Sequence, residues 1–164
     1  MLVHYQTKTP TFPLLPESMR ALNISDNPMI RWSVHGVAAS PLPNLESLRT
    51  DSNPDITNAH VLAILAPSLK KHSLRSLSVD TCPHMDFSSL EWLIKHSENL
   101  ENLAIGGNGT VTDEVLKEVA GFKKLECLDL TFSGISSTGL TNVVMARKRH
   151  LDWWVPLGVS LTWM

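Results

Sequence analysis

The sequence predicts an α/β chain in which short parallel strands alternate with helices, one strand and one helix to each repeated unit. Three observations carry this. Leucine-like residues recur as L-x-x-L-x-L, most clearly at Leu125, Leu128 and Leu130. A small polar residue stands eight positions after the first of them, here Ser133. Between successive sets lie segments whose apolar residues fall at helical spacing.

Sliding the pattern along the chain finds Leu100, Leu103 and Ile105 with Asn108, then Leu74, Leu77 and Val79 with Cys82. Leu45, Leu48 and Thr50 follow with Asn53, and Met19, Leu22 and Ile24 with Asn27. A last set, Leu151, Trp154 and Pro156, has no Asn or Cys after it. Units therefore begin at 19, 45, 74, 100, 125 and 151, at intervals of about 26, 29, 26, 25 and 26 residues. That is the period of a leucine-rich repeat. Strand residues alternate faces, so the second and third apolar positions turn to one side and their neighbours to the other. One unit cannot hide its leucines alone, and stacking makes a curved solenoid whose parallel sheet lines the concave side. The Asn or Cys turns inward, where an amide can satisfy backbone groups buried beside it.

Taken in order, residues 1–18 carry Pro10, Pro13 and Pro16 without periodicity and read as an irregular cap, with Phe12, Leu14 and Leu15 covering the end of the core. Residues 19–155 form the repeats, and 156–164 a C-terminal edge or tail. In the second unit, Thr57 to Ala66 has Val61, Leu62 and Leu65 on one helical face; Thr57 or Asn58 caps it and Pro67 is expected to break it. The third unit carries a helix over 88–96 with Leu90, Leu93 and Ile94 inward. The fourth carries one over 112–120, with acids in its first turn and Gly121 just past its end. The fifth helix covers 137–149 and finishes on basic residues.

Asn53 with Ile56, Thr57 and Asn58, Cys82 with Met85 and Asp86, Asn108 with Val111, Thr112 and Asp113, and Ser133 with Ser136, Ser137 and Thr138 share one spacing. On these residues the chain resembles the cysteine-containing leucine-rich repeats of F-box proteins and, more broadly, the ribonuclease-inhibitor-like class. The resemblance implies a substrate-recognition or adaptor segment of the kind that serves ubiquitin ligases. Residues 1–18 are too few to supply the helical F-box that precedes such repeats. A structural subunit or assembly factor of a larger complex, as among small mitochondrial repeat proteins, is the second reading.

A net charge of −2 gives no general reason to expect a nucleic-acid partner. No apolar stretch approaches a membrane span. The two cysteines are too few for a disulfide framework, and the N-terminus lacks the features of a secretory signal; both favour an intracellular site, cytoplasmic, nuclear or mitochondrial. Asp80, Cys82 and His84 lie close together but are too few for structural zinc, and Cys82 is expected as core. The glycines at 106, 107 and 109 lack the Lys-Ser/Thr of a phosphate loop. Neither cofactor nor catalysis is expected. Arg147, Lys148, Arg149 and His150 read as a solvated helix end.

The remaining candidate is the strand face opposite the leucines. Its columns are Ala21, Ser47, Ser76, Asn102 and Cys127; Asn23, Arg49, Ser78, Ala104 and Asp129; and Ser25, Asp51, Asp80, Gly106 and Thr131. A protein partner is expected on Arg49, Asp51, Ser76, Ser78, Asp80, Asn102, Asp129 and Thr131, or at the C-terminal edge on Trp153. Exposed charges add little to folding, so Arg49, Asp51, Asp80 and Asp129 are expected to serve binding alone.

Overall fold

The computed structural model describes residues 15–27, 42–88, 91–119 and 121–148. Within them lie five strands in one all-parallel sheet and four helices. In chain order these are β1 (Ala21–Asn23), β2 (Ser47–Arg49), α1 (Asn58–Lys70), β3 (Ser76–Ser78), α2 (Glu91–His96), β4 (Asn102–Ala104), α3 (Asp113–Val119), β5 (Cys127–Asp129) and α4 (Ser137–Lys148). The strands stand in the sheet in the order in which they occur in the chain. Each crossover between neighbours therefore returns the chain to the adjacent position, as parallel pairing requires.

The register follows the leucines. Leu22, Leu48, Leu77, Leu103 and Leu128 pair side by side across the whole sheet and all are buried. Leu45, Leu74, Leu100 and Leu125 make a second buried row, and Thr50, Val79, Ile105 and Leu130 a third. Behind them the crossovers contribute Val61, Ile64, Leu65 and Leu69 from α1, Leu93 from α2, and Val115, Leu116 and Val119 from α3. Phe87 and Phe122, outside the leucine pattern, are buried in the same core.

After each three-residue strand the backbone must turn without leaving buried carbonyls unpaired. Asn53 and Asn108 do this from inside. The Asn108 amide donates to Val79, Ile105 and Gly106 carbonyls, each at 2.9 Å, and its oxygen accepts the Cys82 N–H at 2.9 Å. Asn53 donates to Ile24, Thr50 and Asp51 carbonyls at 2.9, 2.8 and 3.3 Å and accepts the Asn27 N–H at 3.2 Å. Cys82 and Ser133 hold the equivalent places with a thiol and a hydroxyl, donating to Thr50 at 3.2 Å and Leu130 at 2.5 Å. The turn itself passes through a left-handed residue in all five described units: Asp26, Ser52, Thr81, Gly107 and Phe132, with φ between 54° and 64°. Glycine meets that requirement without strain at one of the five.

Two expectations need correction. Pro67 lies inside α1 and does not end it, because the face made by Val61, Ile64, Leu65, Ser68 and Leu69 is buried along the helix. Proline removes the bond to the Ala63 carbonyl, while the next residue, Ser68, donates its hydroxyl to Leu65 at 2.8 Å. Leu62, expected inward, is 37% exposed, and Ile64 occupies the core instead. Thr57 does open the helix: its N–H donates to His60 Nδ1 at 3.2 Å, and its carbonyl accepts the Val61 N–H at 3.1 Å. Leu15 packs partly buried against the core. Phe12, Leu14, Leu90, Trp153 and the unit beginning at Leu151 lie outside the described residues.

Truncating either central leucine, Leu103→Ala or Leu128→Ala, should lower stability by about 2 to 5 kcal/mol. Leu62→Ala, on the solvent side of α1, should cost less than about 1 kcal/mol. Denaturant unfolding of the three variants checks both, and comparable losses at all three positions would refute the register.

Candidate interaction site on the exposed sheet face

Opposite the leucines, the sheet presents a face that no described helix covers. Pairing sets Ala21, Ser47, Ser76, Asn102 and Cys127 in one column and Asn23, Arg49, Ser78, Ala104 and Asp129 in the next, as the alternation implies. Over β2 to β5 this face sinks into an open depression of about 420 Å³. Arg49, Ser76, Ser78, Asp80, Asn102 and Asp129 line it, with Ala104 and the exposed thiol of Cys127. Small side chains make the depression, because a column of Ser, Ser, Asn and Cys lets solvent reach almost to the backbone.

The third column does something that its exposed position does not suggest. Ser25 Oγ accepts the Asp51 N–H at 3.1 Å, Asp51 Oδ1 accepts the Asp80 N–H at 3.1 Å, and Asp80 Oδ1 accepts the Gly106 N–H at 2.6 Å. Each side chain thus closes a backbone donor of the following unit. Gly106 ends the series, having no side chain to offer. The Thr131 N–H turns instead to Asp129 Oδ1 at 2.9 Å, and the Thr131 hydroxyl reaches the same oxygen. Glycine is required at 106, since a Cβ there would strike the Thr131 carbonyl.

This corrects the expectation that Arg49, Asp51, Asp80 and Asp129 are exposed charges serving binding alone: Arg49 is exposed, Asp80 and Asp129 are half-buried, and all four make bonds within the fold. Asp51 is only 9% exposed. Its Oδ1 also accepts the Ser78 hydroxyl at 2.5 Å, and its Oδ2 accepts Arg49 Nη2 at 2.8 Å and Nε at 3.2 Å. Ser78 is buried with it, yet it lines the depression, whereas Asp51 does not. The hydrogen bond and charge of Asp51 hold the Arg49 guanidinium even more firmly protonated than usual. Thr131 lies outside the depression's lining, and Trp153 outside the described residues.

Asp80 is the electrostatically exceptional group. Burial raises its pKa from 3.8 to about 6; the Gly106 N–H opposes the rise, Asp51 and Asp129 add to it, and Arg49 opposes it. Cys82, two residues further on, is buried and its thiol pKa is raised by desolvation, which fits a packed side chain. Among the described residues no group of three or more His, Cys, Asp or Glu is placed to hold a metal ion. No described helix is long and apolar enough to cross a membrane.

The alternation did not reveal a further row of charges along the N-terminal ends of the strands. Arg20 pairs with Glu46, and Arg75 with Glu101, across neighbouring units. Their signal is visible in the sequence as basic and acidic residues alternating at 20, 46, 75 and 101, before Glu126 breaks the series. The chain matches no family model and no curated protein.

Asp51→Ala should destabilise the fold by about 1 to 3 kcal/mol, because the Asp80 N–H and the Ser78 hydroxyl lose their acceptor. Asp80 behaves differently. Between 3.8 and about 6 the folded chain holds the proton that the unfolded chain releases, so its contribution to stability is present below that window and lost as pH rises through it. Asp80→Asn keeps an oxygen for Gly106 and removes the titration. Its melting temperature should therefore gain on the wild type as pH rises across the window, and parallel pH profiles would refute the assignment.

Proposed function

We propose that the chain is a leucine-rich-repeat solenoid acting as a non-catalytic protein-interaction module, with its partner seated on the concave sheet face. The repeat spacing, the sheet built in chain order and the inward amides support the solenoid. One observation carries the binding reading: the depression over β2 to β5, floored by small residues and rimmed by Arg49, Asp80 and Asp129. Four strands at about 4.8 Å spacing let one extended segment contact several units at once. Such a segment would meet Ser76, Asn102 and Cys127 along the first column. The resemblance to F-box repeats makes substrate recognition within a ubiquitin ligase the narrower form of this reading.

Asn102 is the place to test it, since its side chain is exposed, lies centrally in the depression and makes no hydrogen bond needed by the sheet. Asn102→Trp fills the depression with an uncharged bulk. It should leave the melting temperature within a few degrees of wild type while abolishing the partner set captured by the tagged protein. Lys117→Ala, on the outward side of α3 where Lys117 forms an exposed ion pair with Glu114, should change neither. Retention of the same partners at wild-type yield by Asn102→Trp would refute the concave site.

A further inference from the structure

Resting on that reading, we infer that the occupant of the depression is an extended polypeptide segment carrying a lysine or arginine, whose cationic end lies between Asp80 and Asp129. The charges on the face decide this. Three carboxylates, Asp51, Asp80 and Asp129, meet one guanidinium, and Asp51 already holds it through two hydrogen bonds. Among the described residues neither Asp80 nor Asp129 has an ion-pair partner, and both line the depression. Asp80, just past β3, and Asp129, on β5, flank β4, where Ala104 pairs with Asp129 and, just past the strand, Gly106 bonds Asp80; neither residue has a side chain large enough to fill the gap. A long basic side chain laid over Ala104 reaches both carboxylates, and the small first-column residues leave its backbone room along the sheet. An acidic segment would add to the repulsion already present. An apolar one would bury the carboxylates without compensation.

The same arrangement predicts proton linkage. Asp51 and Arg49 on the β2 side and Asp129 on β5 are the charges acting on Asp80, whose pKa of about 6 reflects burial above all. A bound cation favours the ionised form, so binding releases protons and weakens as pH falls below about 6. A surface held together by apolar contact alone would show no such dependence.

Selection from a displayed library of random linear peptides tests the inference, followed by titration of one selected peptide against the full chain. Peptides blocked by Asn102→Trp should be enriched in lysine or arginine. Asp80→Asn and Asp129→Asn, which keep their oxygens for Gly106 and Thr131 and should melt as folded proteins, should each weaken the titrated peptide at least about tenfold. The wild-type affinity should fall with pH through about 6, and much less so in Asp80→Asn. Peptides that bind this face but lack basic residues, or ignore both Asn variants, would overturn the inference and leave the interaction site standing. A library yielding nothing sensitive to Asn102→Trp would overturn both.

Discussion

Strands of three residues form too few ladder bonds to end cleanly, and the structure depends on how the carbonyls just beyond them are paired. Asn53 and Asn108 each gather three such carbonyls and receive one N–H from the preceding unit, so a single side chain joins two units and closes a turn. A buried carbonyl without a partner costs about 1 to 3 kcal/mol, which makes a position serving three of them among the least replaceable in the chain. The leucine rows supply most of the apolar burial, but the inward polar residues decide where the strands stop and therefore which residues the next turn presents. Cys82 and Ser133 satisfy fewer groups from the same place, so the units are not equivalent in how firmly they are closed.

Closure continues on the outer side of the sheet. Ser25, Asp51 and Asp80 each accept a backbone N–H from the following unit, so the exposed face takes part in assembling the stack. Asp80 does this in surroundings that disfavour its charge, beside two other carboxylates. A surface evolved only for cohesion would find a neutral acceptor less costly there, as Ser25 shows at the start of the series. The retained charge is therefore the feature of this face that cohesion explains least, and it lies on the rim of the depression.

Alternation and period made the sheet legible in the sequence, since which residues pair and which face they take follows from L-x-x-L-x-L alone. The inward amides of Asn27, Asn53 and Asn108 were legible for the same reason. Other features needed neighbours that no local pattern contains. Pro67 reads as a helix breaker until the buried face running past it to Leu69 is known. Asp51 reads as a surface charge because its position alternates with leucines; what changes its role is the N–H of Asp80, just past β3 and 29 residues away in sequence. The Arg20–Glu46 and Arg75–Glu101 pairs leave an alternating signal at one repeat position, but it emerges only after the register is set.

The left-handed turn residue falls five positions after its strand begins in every described unit, at Asp26, Ser52, Thr81, Gly107 and Phe132. All variation in unit length therefore lies between that residue and the next strand. The longest unit accommodates its extra residues around the end of α1 without disturbing the pairing of β2 with β3. Insertions and deletions are thus tolerated very unequally along this chain. Several residues gained or lost on the helical side leave the sheet in step. One residue gained or lost between strand and turn would exchange the buried and exposed sets of that unit and misplace its inward amide. Divergent copies of this chain can be expected to differ in length on the helical side while keeping the six-residue stretch from strand start to turn invariant in length.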